Sequence, residues 1–207
     1  MISIIDYGAG NIQSVYKAMN FIGCDCVITR DKNIIMNSDG AILPGVGSFG
    51  DTMDTMTSYG INNTVTDYIN SGKPFLGICL GLQLLFPKSE ESPNASGLSV
   101  FDGTITKIPS GQGYKIPHIG WNSIEIKKGS RIFKDIENNS YVYFVHSYYL
   151  NAADKDIVAA QTQYGVTIDA AIEKNNVFAT QFHPEKSGET GLKILRNFAD
   201  IVKGGED

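Results

Sequence analysis

From Met1 to Phe86, short apolar runs alternate with stretches whose apolar positions recur at helical spacing. Ser3-Ile4-Ile5-Asp6, Cys26-Val27-Ile28-Thr29, Ala41-Ile42-Leu43 and Phe75-Leu76-Gly77-Ile78 read as strands. Between them, Asn11 to Ile22 reads as a helix with Ile12, Val15, Tyr16, Met19 and Phe21 mostly on one face. A longer helix is predicted from about Asp51 to Ile69, weakened at Gly60, and another opens over Leu80 to Phe86. This alternation predicts βαβ units and a parallel sheet with helices on both faces. Right-handed crossovers bring the carboxyl ends of the strands to one edge, where ligands bind in open α/β sheets.

The second half is richer in strand: Ser99 to Ile108, Trp121 to Ile126, Tyr141 to Leu150, Ile157 to Thr162, Ile168 to Glu173 and Val177 to Phe182. Their short connections predict antiparallel additions to the sheet. A closing helix, about Glu189 to Val202, carries the apolar stripe Leu192, Leu195, Phe198, Ala199 and Val202. The expected fold class is α/β: a three-layer, mostly parallel central sheet with helices on both faces and added antiparallel strands. One domain is expected over residues 1–207.

Composition narrows the function classes. A net charge of -5 gives no footprint for nucleic acid or an anionic membrane. No apolar run reaches the roughly 20 residues of a membrane helix, and the acidic Asp6 follows the first strand where a signal peptide would carry a basic region. The three cysteines, Cys24, Cys26 and Cys79, make no disulfide framework, so a reducing cytoplasm is the expected compartment. No Cys/His cluster has zinc-site spacing; neither a metal nor a cofactor is expected.

The chemistry concentrates at Gly77-Ile78-Cys79-Leu80-Gly81. An apolar strand runs into a cysteine flanked by glycines two residues away on each side, and a helical pattern follows. This is the cysteine version of a nucleophile elbow. Side chains at the glycine positions would block the tight approach of strand and helix. The turn puts Cys79 at a helix start, where free N–H groups and the dipole favour the thiolate. The Leu80 N–H points where an oxyanion would develop. The alternative is a structural cysteine in a glycine-rich turn. For Cys24 and Cys26, which lack the glycines, a place in the core is the better reading.

A cysteine nucleophile needs a base, and the base needs an orienting group. His183 ends an apolar strand and precedes Pro184, and Glu185, two residues on, can reach the same side in extended geometry. A carboxylate there fixes the imidazole tautomer. His118 and His146 lack an adjacent acid, so packing or hydrogen bonding is their expected role. Leu43-Pro44-Gly45-Val46-Gly47-Ser48-Phe49-Gly50 is a second glycine loop at the same edge. It lacks the ending of a phosphate-binding loop. A plain connection remains open, but a backbone donor for the oxyanion is the preferred reading. Asp6-Tyr7-Gly8-Ala9-Gly10-Asn11 reads as a tight βα turn.

The pair Gly77-Ile78-Cys79-Leu80-Gly81 and His183-Pro184-Glu185 resembles the triad (class I) glutamine amidotransferases, over nearly the whole chain. Within that family the chain is most similar to members serving histidine biosynthesis. The segments carrying that likeness are Asp6 to Asn11, Leu43 to Phe49, Pro117-His118-Ile119-Gly120-Trp121-Asn122 and Gln181 to Gly188. The resemblance implies Cys79, His183 and Glu185 as a catalytic triad, with Leu80 and the Val46–Gly47 segment as oxyanion donors. It implies Gly47, Gln83, Glu91, Ser147 and Tyr148 as the binding site for L-glutamine. It also implies a heterodimer with a (β/α)8-barrel cyclase, contacted through Asn11, Trp121, Asn122 and Lys186, to which ammonia passes. Three other readings share these motifs: a paralogue supplying another synthase, a catalytically silent regulatory subunit, and a cysteine peptidase on the same fold.

Overall fold

The computed structural model of the chain describes residues 1–8, 11–111, 113–127 and 129–204. Ala9 and Gly10, within the expected first βα turn, lie outside the described residues. The first half alternates as the pattern predicts. Strand β1 (Ile2–Ile5) leads to helix α1 (Ile12–Phe21), then β2 (Cys26–Thr29), α2 (Lys32–Asn37) and β3 (Gly40–Gly45). Helices α3 (Phe49–Ser58) and α4 (Ile61–Asn70) precede β4 (Phe75–Cys79) and the one-turn helix α5 (Leu80–Gln83).

Two helical expectations are corrected. The stretch from Asp51 to Ile69 is two helices, because Gly60 takes φ 68° and turns the chain between them. The helix opening at Leu80 ends at Gln83 and continues to Phe86 only as hydrogen-bonded turns. Helix α2 escaped the periodicity because it buries only Ile35. Its signal is the cap: the Asp31 carboxylate accepts from the Asn33 and Ile34 amides at 2.7 and 3.2 Å.

The second half supplies β5 (Lys88–Ser89), β6 (Gly103–Lys107), β7 (His118–Ser123), β8 (Glu125–Ile126), β9 (Tyr141–His146), β10 (Tyr148–Ala152), β11 (Val158–Tyr164), β12 (Val166–Lys174) and β13 (Val177–Thr180). Helix α6 (Gly188–Val202) closes the chain. The main sheet has the order β2-β1-β3-β4-β13-β12-β11-β8, parallel from β2 to β13 and antiparallel beyond. The expectation that every later strand joins this sheet is therefore only partly met. β10, β6 and β5 form a separate three-stranded sheet, and β7 pairs only with β9. The run Tyr141 to Leu150 is not one strand: it breaks at Ser147 and its halves serve different sheets.

Alternation along the parallel strands sorts their side chains into two cores. Ile4, Ile42, Leu76 and Phe178 face α1 and α6, packing with Val15, Met19, Leu195 and Phe198. Ile5, Leu43, Phe75 and Ala179 face α3 and α4, packing with Phe49, Met56, Val65 and Tyr68. The result is three layers. Phe21, expected on the inner face of α1, is 75% exposed, and Ala18 is buried on that helix instead.

Candidate active site

Register decides which loops meet. Gly45 at the end of β3 is level with Cys79 at the end of β4, and Thr180 of β13 is level with Ile78. Parallel direction puts all three strand ends at one edge. The loop at Val46, the cysteine, and the segment running from Gln181 to His183 are neighbours for that reason.

Cys79 sits at φ 55°, ψ -108°, a left-handed conformation for a side chain other than glycine, costing on the order of 1–3 kcal/mol. The tight strand-to-helix turn imposes it, and the flanking glycines make that close approach possible. A Cβ on Gly77 would stand 2.6 Å from the Gly81 carbonyl oxygen, and one on Gly81 would stand 2.0 Å from that of Leu43. Both contacts are with backbone, so neither position can yield to a side chain. Because α5 is a single turn, the electrostatic help expected from a helix dipole reduces to the free N–H groups of that turn, Leu80 first among them.

His183 and Glu185 meet differently from the expected extended geometry. β13 ends at Thr180, and Pro184–Lys186 forms a 3-10 turn. The turn brings the carboxylate round so that Glu185 Oε1 lies 2.8 Å from His183 Nδ1, both side chains being at most 2% exposed. The Asn11 amide also donates to Glu185 Oε1, at 3.2 Å. This tie, which the sequence did not reveal, gives Asn11 a place beneath the base. His183 Nε2 is buried, faces Cys79 and has no formed hydrogen bond. Burial lowers the His183 pKa, but the Cys79 sulfur and the Glu185 carboxylate outweigh it and push it up to about 10. An imidazole in this setting holds a proton firmly.

These groups open on a cavity of about 430 Å³ lined by Val46, Gly47, Cys79, Leu80, Gln83, Glu91, Ser147, Tyr148, His183 and Lys186, with Pro117, Val145 and His146 completing the wall. All the residues expected to bind substrate reach it. Glu91 is anchored, its Oε2 accepting from the Phe49 amide at 2.7 Å at the start of α3. The Tyr7 hydroxyl faces the Val46 backbone and is buried without a formed hydrogen bond; burial pushes its pKa up to about 12. A larger groove, about 580 Å³, lies along Lys127, Ser130, Arg131, Asp156 and Glu173. It holds no nucleophile–base pair, and its Arg131 is committed to Glu173, Asn175 and Asn176.

Of the expected partner residues, Lys186 is exposed at the cavity and Trp121 is 55% exposed on the outer face of the β7–β9 ribbon, near exposed Ile119 and Tyr141. Asn122 lies on the other face of β7 and donates to the Gln163 carbonyl at 3.0 Å.

His118 and His146 form a buried hydrogen-bonded pair, Nδ1 to Nε2, at 3.0 Å. His146 Nδ1 lies 2.9 Å from the Tyr148 carbonyl and must donate to it, so His146 Nε2 accepts from His118 Nδ1–H. Burial pushes His118 down to about 4. It pushes His146 to about 3, opposed by the Tyr148 carbonyl and assisted by the neighbouring histidines. Both are neutral when folded, whereas an unfolded imidazole protonates near pH 6.5. Between about pH 6.5 and 4 the unfolded chain binds more protons, so stability falls as pH falls, by up to about 1.4 kcal/mol per histidine per pH unit. His183, whose pKa is raised, opposes this fall only near pH 6.5, where the unfolded imidazole is half neutral, and contributes progressively less slope as pH falls further. The urea midpoint is expected to drop steeply from pH 6.5 to 4.5; a level profile over that range contradicts a neutral pair.

Among the described residues no group of three His, Cys, Asp or Glu could hold a metal ion, and no helix is long and apolar enough to cross a membrane. A family model, glutamine amidotransferase class-I, matches residues 3–202. The chain is 53% identical to the imidazole glycerol phosphate synthase subunit HisH of Caldanaerobacter subterraneus subsp. tengcongensis, covering 98% of this chain and 99% of that one. It is 49% identical to the same subunit of Methanothermobacter thermautotrophicus, covering 98% and 100%. Among solved structures, a glutamine amidotransferase superposes with a TM-score of 0.76 at 17% identity, covering 98% of each chain.

Proposed function

The chain belongs to the class-I glutamine amidotransferase family, and from that premise we propose that it is the glutaminase subunit of an imidazole glycerol phosphate synthase. The observation carrying this reading is the buried, strained Cys79 facing a His183 whose other nitrogen is held by Glu185, in a cavity sized for a small amino acid.

Cys79 attacks the side-chain amide of glutamine. His183 Nε2 takes the thiol proton and returns it to the departing ammonia, while Glu185 keeps Nδ1 protonated. The Leu80 N–H and a donor from the Val46–Gly47 segment receive the oxyanion. Water then cleaves the glutamyl thioester. The Glu91 carboxylate suits the α-ammonium of glutamine, and Gln83, Ser147 and Tyr148 supply further polar contacts. The partner is a (β/α)8-barrel cyclase subunit, docked over the exposed Trp121 and Lys186 with Asn11 and Asn122 behind them. It adds the ammonia to a phosphoribosyl intermediate in the cytoplasm.

Glutamate release by the purified chain, alone and then with the barrel cyclase and its phosphoribosyl ligand, tests the assignment. Turnover is expected to rise on adding both, by up to about 100- to 1,000-fold if partner binding turns a Val46–Gly47 backbone N–H into the oxyanion site, the scale of one such donor. Turnover indifferent to the partner would mean that the ammonia goes to a different acceptor enzyme.

A further inference from the structure

Gln181 is fully buried, and its side chain lies between two functional groups. Its Nε2 donates to the Cys79 sulfur at 3.7 Å, and its Oε1 accepts from Gln83 Nε2 at 3.0 Å. Gln83 Nε2 also donates to the Tyr148 carbonyl at 3.1 Å. That carbonyl can only accept, and it accepts from His146 Nδ1 as well.

The direction of the ladder follows from its far end. A carbonyl at Tyr148 requires the nitrogen of Gln83 to face it. Both hydrogens of that nitrogen are then used, one on Tyr148 and one on Gln181, so Gln181 must present its oxygen to Gln83. Its nitrogen is thereby aimed at the sulfur. A reversed Gln181 would set two donors against each other at Gln83 and an oxygen against a developing thiolate. The backbone is fixed too, since Gln181 N donates to the Ala170 carbonyl at 2.8 Å.

We propose that Gln181 is a catalytic residue of this site: its side-chain N–H is a preorganised donor to the Cys79 sulfur, oriented through Gln83 by the Tyr148 carbonyl. The proposal rests on Cys79 being the nucleophile. Sulfur carries negative charge twice in the cycle. It does so first when the thiol proton passes to His183, before the S–C bond forms and the C–N bond breaks with release of ammonia. It does so again when water adds to the acyl carbon and sulfur leaves, to be reprotonated by His183. A fixed donor stabilises the sulfur at both moments. Because Tyr148 and Gln83 also line the cavity, a ligand that shifts the Ser147–Tyr148 segment reaches the sulfur through the same ladder.

The test is the pH profile of Cys79 alkylation by iodoacetamide, read by mass spectrometry at the Cys79 peptide so that Cys24 and Cys26 do not interfere. Gln181→Met keeps the bulk and removes the donor. Gln181→Glu keeps the shape, still accepts from Gln83 and turns an oxygen on the sulfur. Gln181→Met leaves the titratable groups facing the sulfur, His183 and Tyr7, unchanged, whereas Gln181→Glu adds a carboxyl to them. A hydrogen bond to a charged group corresponds to roughly ten- to a hundredfold in thiolate population, so the Gln181→Met midpoint should move up by about one to two pH units. Gln181→Glu should move it further, and kcat should fall by roughly the same ten- to hundredfold while the KM for glutamine changes little. If Gln181→Met does not fold, Gln181→Asn, which withdraws the amide from the sulfur without adding a charge, carries the test with the same expected direction. A folded variant whose profile overlays the parent's overturns the role of Gln181 while leaving Cys79 as nucleophile. Glutamine turnover that survives Cys79→Ala overturns the premise instead.

Discussion

Cys79→Ala is expected to lower glutamine-dependent turnover by about ten-thousand-fold or more, the scale on which removing a nucleophile from an intact site acts. The cyclase complex carrying this variant should still make product from free ammonium, because the acceptor chemistry belongs to the partner. Stability should hold or fall slightly, since alanine in place of cysteine leaves the backbone at φ 55° and removes two weak sulfur contacts, to the Val145 carbonyl at 4.0 Å and from Gln181 Nε2 at 3.7 Å, the latter leaving a buried donor without its partner. Glutamate release and ammonium-dependent product formation, measured on the same preparation, check both halves. Loss of both activities would show that the chain also shapes the cyclase site.

The second large effect separates His183 from Glu185. His183→Ala removes the proton carrier and should cost about ten-thousand-fold in kcat. Glu185→Gln leaves an oxygen for His183 Nδ1–H and for the Asn11 amide, which both meet Oε1 in the parent. What it removes is the negative charge, and it puts an amide nitrogen where Oε2 is buried without a partner. The charge is one reason the His183 pKa is raised. The expected result is a loss of about 100- to 1,000-fold and an acid limb of the kcat profile displaced to lower pH, as the imidazolium becomes less stable. Equal losses for the two variants would mean that Glu185 does more than orient and stabilise the imidazole.

Much of this was legible in the sequence because it is local. The elbow, with Gly77 and Gly81 fixed by backbone contacts, is written in five consecutive residues, and so is the pairing of His183 with Glu185 two positions on. The parallel half of the sheet follows from apolar runs that fill both cores. What was hidden depends on partners distant in sequence. Asn11, expected only as a partner contact, reaches Glu185 across 174 positions and Gln181 reaches Cys79 across 102, and no local pattern marks either contact. The break at Ser147 was hidden in a run of strand-forming residues. Only the separate pairing of Tyr141–His146 with β7 and of Tyr148–Ala152 with β6 reveals it. That break exposes the Tyr148 carbonyl to Gln83 and His146, so the misread strand and the missed ladder share one cause.

The most direct test is acid quenching of the chain during turnover of glutamine in the presence of its activating partner, followed by mass analysis of the peptide containing Phe75 to Gln83. The expected result is a glutamyl adduct on Cys79 that forms before steady state, disappears on hydroxylamine treatment and is absent in Cys79→Ala. Steady turnover with no adduct at Cys79, or with one on another residue, would contradict the thioester mechanism.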